Sequence, residues 1–375
     1  MSNISRSASY RIWLCDPRGT RLELIDNFNN MTYARAHGNI GRATIQLPMN
    51  AINRKLLEPD YIWQIWRTPP GGLSRLRFAG MARKFRYFES NNRDMIDIEV
   101  EDGVGLLYSR IVAYAARSSQ ASKDDVVDDI MKAIVRENLG GSATDTDRDL
   151  SAYDFEVQTD VGLGPSTTVA VAHKFVGEAL DNLFWDSASQ GTPVFYDVQP
   201  KLTSTGLGWV FLTATGQLGS DRTYSSGMPA VFSRNFGNLE SPDLTFDHTQ
   251  EVTVVYAGGQ GEGSFREIVE VEATGRRQQS PWNRREIFDN SSNLSSTTEL
   301  TRRAGQLRRE GRPRKKFVAK LKDSKQTRFG VDWDYGDKVV VKAYGVSFNA
   351  HINAFSMGVD QDGNESLDTR VEILL

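Results

Sequence analysis

Three aspartates crowd one glycine in VDWDYGDKVVVK, residues 331–342, where Asp332, Asp334 and Asp337 stand around Gly336. Carboxylates at such short spacing concentrate negative charge and could gather a hard cation. The residues that follow argue for a turn instead. Val339, Val341 and Ala343 alternate with Lys338, Val340 and Lys342, the period of a strand with one mainly apolar face. The aspartates therefore read as turn residues, with Gly336 in a left-handed conformation. A second acidic run, Asp360-Gln361-Asp362-Gly363-Asn364-Glu365, also alternates oxygen donors. Its glycine falls at the fourth position, where an EF-hand loop needs it at the sixth, and no closing bidentate glutamate follows. Asp362-Gly363 reads as a hairpin turn.

Other chemistry-bearing residues are equally bare of a motif. The chain has no Gly-x-Ser-x-Gly elbow, no His-Glu-x-x-His and no phosphate loop ending in Gly-Lys-Ser/Thr. The run Gly258-Gly259-Gln260-Gly261-Glu262-Gly263 leaves one strand and enters another, so no helix N-terminus awaits a phosphate. His37, His173, His248 and His351 are far apart in sequence and in no ligand-like spacing. A single cysteine, Cys15, excludes an internal disulfide framework and a Cys-based metal cluster. No catalytic residue, cofactor or metal site is expected.

The elements that would carry these residues fall into three stretches. The 375 residues exceed the roughly 250–300 at which single cores stop growing. Runs of β-formers at Tyr10–Leu14, Arg21–Ile25, Met31–His37, Arg42–Leu47, Tyr61–Arg67, Leu76–Tyr87 and Met95–Val100 predict strand after strand, the pattern of a sandwich or barrel. After Asp102-Gly103 the period turns helical. Leu106, Leu107, Ile111, Val112 and Tyr114 can share one face, and Ser122-Lys123-Asp124-Asp125 reads as a capping box. The second helix it opens carries Val126, Val127, Ile130, Met131, Ile134 and Val135 inward and stops at Leu139-Gly140-Gly141. A third helix is expected from Thr168 to about Ser187, with Phe175 among its inward residues, followed by strands at Val194–Val198, Trp209–Thr213 and Val231–Phe232.

Beyond Ser241-Pro242 strands return at Glu251–Ala257 and Phe265–Glu272, joined by the glycine run as a hairpin. One helix, Thr297–Glu310, precedes strands at Phe317–Leu321, Lys338–Ala343, Phe348–Met357 and Leu367–Leu374. The expected fold class is α+β, mainly β. Its divisions are a first β unit over 1–103, an α+β insertion with about three helices over 104–240, and a second β unit with one interrupting helix over 241–375. The N-terminus lacks a basic region followed by an apolar one, and no apolar window approaches the ~18–20 residues of a membrane span.

Charge is patterned although the net value is only −3. Between Lys123 and Asp160 eleven acidic residues face four basic ones, whereas Arg302 to Lys316 holds eight basic residues and only Glu310 in opposition. Opposite-sign surfaces of this kind steer and register protein partners. The basic run lacks the interleaved aromatics of a nucleic-acid stripe.

Taken together, DGVGLLYSR at 102–110, IVAYAARSSQASK, DDIMKAIVRENLG, SPWNRREIFDN, the late helix and YGDKVVVKAYG resemble the tail-hub proteins of long-tailed bacteriophages. Those are in turn similar to the central hub protein of contractile-tail baseplates. The resemblance implies a non-enzymatic virion protein of the tail tip or baseplate, assembled in the host cytoplasm. It implies a homotrimer whose two β-barrel-like tube domains per subunit offer six similar faces to a tail-tube or distal tail ring. A central fibre or spike would sit below, and the channel would pass the tape-measure protein and DNA without sequence-specific binding. Arg302, Arg303, Arg308 and Arg309 on the late helix are the candidate interface or lumen residues. Two other functions compete with a hub: a tail-tip cell-wall hydrolase or endopeptidase, for which no appended domain is expected, and a receptor- or carbohydrate-binding module using Trp63, Trp66, Trp282 or Trp333.

Overall fold

The computed structural model describes residues 8–50, 52, 55, 57–113, 121–143, 145–204, 206–324 and 327–373. Seven strands open the chain: β1 (Ser9–Cys15), β2 (Arg21–Ile25), β3 (Asn30–Ala36), β4 (Arg42–Pro48), β5 (Ile62–Thr68), β6 (Arg75–Ser90) and β7 (Arg93–Asp102). All seven were legible as runs of β-formers. In β4, for example, Ala43, Ile45 and Leu47 are buried while Arg42 and Thr44 are exposed, because successive side chains leave opposite faces of a strand. Strand β5 departs from this pattern and is buried on both faces. Its Trp63 and Ile65 enter one apolar core, while Ile62 joins Ala79 and Met81 of β6 in a second.

That second core is built by the segment after β7. A single turn α1 (Gly105–Tyr108) leads to β8 (Ala121–Val126), α2 (Val127–Leu139), β9 (Phe155–Val157), β10 (Ser166–Val171), α3 (Val176–Ser189), β11 (Val194–Leu202) and β12 (Leu207–Thr215). Val127, Ile130, Met131, Ile134 and Val135 of α2 pack with Ala179, Leu180 and Leu183 of α3, as helical spacing predicts. Three expectations are corrected here. The first helix is only one turn, and Ile111 lies beyond it in an isolated bridge to Phe175; Tyr114 is outside the described residues. Ser122–Asp125 is not a capping box but part of β8, which pairs with β10 from Ala121↔Val171 to Val126↔Ser166. Helix α2 starts without a side-chain cap because its first donors reach the loop that leads into β10, Val127 N to Pro165 O and Asp128 N to Leu163 O. The third helix begins at Val176, since the β-branched Thr167-Thr168-Val169 run belongs to β10 and Phe175 is half exposed ahead of the first turn.

The remaining elements are β13 (Asp221–Arg222), β14 (Val231–Ser233), β15 (Leu239–Asp247), β16 (Val254–Gly258), β17 (Ile268–Glu272), a short α4 (Thr274–Arg277), β18 (Glu286–Asn290), α5 (Thr297–Glu310), β19 (Arg314–Leu321), β20 (Lys338–Ala343), β21 (Val346–Asp360) and β22 (Glu365–Glu372). The expected hairpin around the glycine run is present as β16 and β17, and α5 has the bounds its sequence predicts. Leu300 and Ala304 of α5 cover Val255 and Ala257 of β16 in a small third core.

The chain is mainly β, and its largest sheet has twelve strands in the order β13-β20-β21-β3-β4-β7-β6-β5-β1-β2, with β14 on β20 and β22 on β21. Strands from both ends of the chain therefore share one sheet, joined where β21 pairs with β3 from Ala354↔Ala36 to Asp360↔Asn30. The sheet is open, and no closed barrel forms among the described residues. No helix among them is long and apolar enough to cross a membrane.

One ion network ties the three stretches together. Arg35 on β3 donates from Nε to Asp102 at the end of β7 (3.2 Å) and from Nη2 to Asp197 on β11 (2.6 Å), and its guanidinium lies 5.1 Å from the Tyr335 ring. Asp102 also accepts the backbone N–H groups of Gly41 and Val104, which fixes the exit from β7. Its carboxyl is pushed up to about 6 by burial, against the pull of Arg35. Removing the guanidinium would strand two buried carboxylates without a counter-charge. Arg35→Ala should therefore cost about 3–5 kcal/mol of stability, read as a lower urea midpoint of the purified chain; an unchanged midpoint would refute the stitching role.

Candidate functional site

The three aspartates of the 331–342 turn do not converge. Asp332 accepts from Arg328, through the side chain at 2.9 and 3.1 Å and the backbone N–H at 2.8 Å. Asp334 takes both terminal nitrogens of Arg77 from β6 at 2.5 and 2.7 Å. Asp337 is buried and accepts the N–H groups of Ser220 (2.6 Å) and Asp334 (2.8 Å); burial pushes its carboxyl up to about 6. Gly336 has φ +84°, and a Cβ there would stand 2.8 Å from the Gly219 nitrogen. The stretch is thus a tight junction between three chain segments. Among the described residues no group of three or more His, Cys, Asp or Glu could hold a metal ion.

The second acidic run is also accounted for by structure. Asp360 accepts from the backbone of Asp362 and Asn364 and from the Asn364 side chain, closing the hairpin between β21 and β22 with Gly363 at φ +78°. Glu365 turns inward to Arg67, meeting it at 2.6 and 2.8 Å. In the glycine run, Arg266 donates to the carbonyls of Gly258 and Gly259, so a cation fills the loop's concavity from within the chain. Cys15 is buried, and burial pushes its thiol up to about 12. It is an unreactive core residue.

Two of the four histidines do meet, a convergence sequence spacing could not reveal. His37 packs 4.4 Å from the Phe184 ring and 4.9 Å from Phe195, and His351 stacks on the same Phe195 at 5.9 Å. Burial holds each imidazole down at about 4, so both are neutral at physiological pH. His248 instead pairs at 2.8 Å with Glu251, which Arg276 also holds. Of the tryptophans, Trp63 and Trp333 are core residues, whereas Trp282 is 89% exposed.

The basic helix supplies the most distinctive surface. The apolar stripe of α5 faces its small sheet, which leaves the arginines on the other sides. Arg302 is exposed, Arg303 pairs with Asp289 at 3.4 Å, and Arg308 and Arg309 are half-buried with Nε atoms that make no hydrogen bond. Arg302, Arg303 and Arg309 line the space between α5 and α3, and Arg308 does not. Continuing past the helix, a cleft of ≈ 920 Å³ is lined by Arg309, Arg312, Arg314, Lys315, Lys316 and Arg370. Trp185 and Asp186 of α3 form the opposite wall. The sequence displayed the 302–316 run but not Trp185 or Arg370, which only the fold brings beside it.

This architecture is the fold of phage tail proteins. The chain superposes end to end on the 43 kDa tail protein of prophage MuSo2 from Shewanella oneidensis, with TM-score 0.56, 13% identity and 98% of each chain covered. A tail protein from Neisseria meningitidis MC58 is similar over 97% of each chain, with TM-score 0.54 and 13% identity. A chain of the Francisella PdpA-VgrG complex is similar over 98% of this chain and 57% of its own, with TM-score 0.52 and 10% identity. Residues 9–371 match the family described as Siphovirus ReqiPepy6 Gp37-like protein, and the chain belongs to that family. No curated protein matches it. The resemblance to phage tail proteins drawn from the sequence is borne out by family and fold.

The histidine pair makes stability acid-sensitive in a defined direction. Between pH 6.5 and 4 the unfolded chain protonates imidazoles that the fold keeps neutral, so this contribution is present above 6.5 and is lost as pH falls toward 4. Asp102 and Asp337 act oppositely, since their folded carboxyls take up protons from about 6 downward, before the unfolded ones do. The double variant His37→Gln, His351→Gln isolates the first effect. Its urea midpoint should fall less than that of the unaltered chain between pH 7 and 4.5, by roughly 5 kcal/mol in the stability difference for the two imidazoles together; parallel pH curves would contradict the assignment.

Proposed function

We propose that this chain is the structural hub at the distal end of a phage tail. In this reading three copies form a ring, residues 1–103 and 241–375 act as two tube-like units, and the 104–240 insertion docks outside them. Six similar faces would then meet a hexameric tail tube or distal tail ring, and a trimeric fibre or spike would sit beneath. The channel would pass the tape-measure protein and DNA. Arg302, Arg303, Arg308 and Arg309 are assigned to a neighbouring subunit or to the channel.

The observation that carries this reading is the β21–β3 pairing. It fuses early and late strands into one continuous sheet. A rigid wall of this kind suits a tube segment that must hold its shape under load, and the likeness to tail proteins over nearly the whole chain supports the same role. Open sheet ends need partners as well. β2 lies at one end with Leu22 and Leu24 exposed, and an unpaired edge of this kind is safe only when a neighbour covers it. Closed rotational symmetry covers such edges and stops growth.

Electron microscopy of the purified chain provides the test. Class averages should show a three-fold ring around a central channel; compact single subunits at every concentration would overturn the hub reading.

A further inference from the structure

The basic cleft beside α5 holds more positive charge than the chain itself neutralises. Its six cations face only Asp186 and Glu310 among the lining residues. Each of those carboxylates accepts an amide donor, Asp186 from Gln190 at 3.2 Å and Glu310 from Gln306 at 2.8 Å, which leaves six cations against two anions. Among the described residues none of the six cations makes an ion pair within the chain. Burial and the adjacent Arg309 together push the Arg312 guanidinium below its ordinary value. Like charges crowded in a partly desolvated cleft are unfavourable unless an anion arrives to fill it.

The same chain carries a matching anion. Asp145 and Asp147 are exposed and Asp149 is half-exposed in the turn after α2, and none of the three makes an ion pair. Their position is fixed by Arg148, whose Nη2 donates to the Ile111 carbonyl at 2.7 Å, while Ile111 bridges to Phe175 at the start of α3. The cleft lies at the other end of the same helix, against Asn182, Trp185, Asp186 and Ser189. Fourteen helical residues separate the two ends by about 20 Å. That exceeds the ~8 Å screening length at physiological salt, so the patches cannot neutralise each other within one subunit.

We propose that the cleft lined by Arg309, Arg312, Arg314, Lys315, Lys316 and Arg370 receives the Asp145–Asp149 turn of a second copy of this chain, as the head-to-tail contact that closes the ring. Two different patches at opposite ends of one element make a heterologous contact, the kind that generates rings when the rotation closes. The 61%-exposed Trp185 supplies an aromatic anchor beside the ion pairs. A single tryptophan on the wall is a poor stacking track for nucleic acid, which needs successive aromatic platforms. This inference rests on the ring reading above, and the experiment separates the two.

Three variants decide it, each checked for folding by circular dichroism and thermal unfolding. One is Arg312→Glu with Arg314→Glu and Lys316→Glu; another is Asp145→Lys with Asp147→Lys and Asp149→Lys; the third combines all six. Mass photometry at 150 mM salt should show the unaltered chain as an oligomer and each triple variant shifted at least tenfold toward protomer. The combined variant should regain the oligomer, because its reversed patches fit each other, and local unfolding would not be rescued in this way. An oligomer that survives both triple variants overturns this contact but leaves the ring. An unaltered chain that stays a protomer overturns the ring itself. An oligomer indifferent to the cleft variant, together with a single-stranded DNA oligonucleotide that binds the unaltered chain and not that variant, overturns the contact in favour of nucleic acid.

Discussion

Arg35 lies where all three stretches of the chain meet. Its guanidinium lies between Asp102, which ends the first run of strands, and Asp197 of the insertion, beneath the Tyr335 ring of the late turn. Taking these groups out of water is costly, and a buried pair is weak evidence for net stability. Its value here is register. Asp102 can satisfy Arg35, Gly41 and Val104 together only if β7 ends where it does, and that ending sends the chain off the sheet into the insertion. Arg77–Asp334 and Arg67–Glu365 repeat the device, the first pinning β6 to the late turn and the second pinning β5 to the start of β22.

These pins explain why an acidic turn that looked like chemistry is mechanical. Asp334 is spent on Arg77 and Asp337 on backbone donors, while Gly336 allows the chain to pass close to Gly219. A frame pinned in this way presents its surfaces in fixed relative positions. The insertion hangs its acidic turn from one end of α3 and frames the basic cleft with the other. The helix thereby converts an internal packing element into a ruler between two opposite charges.

Legibility followed the range of the interaction. Arg21–Ile25, Lys338–Ala343 and Thr297–Glu310 were readable to the residue, because apolar period and flanking turn residues are local signals. Strand β8 was not, since Ala-Ser-Lys-Asp-Asp-Val has no apolar alternation and is held by cross-strand partners such as Thr168, which donates to Asp124. The α3 start was misplaced for a related reason: strand and helix abut with only a short left-handed turn at His173 between them. Pairing of Ala36 with Ala354, the meeting of His37 with His351 at Phe195 and the reach of Arg370 to the α5 cleft are long-range facts that no local period encodes. Half of the candidate surface was therefore visible as a basic run, and the half that makes it a cleft was not.

The central claim is that charge complementarity between copies closes a ring built on this rigid frame. Sedimentation velocity across a salt series addresses it most directly, because screening weakens contacts between exposed charges and leaves apolar cores intact. At low salt the chain should sediment at three times the protomer mass and shift toward protomer as salt rises, with no loss of secondary structure. A protomer at every salt concentration, or a trimer indifferent to salt, would contradict the account.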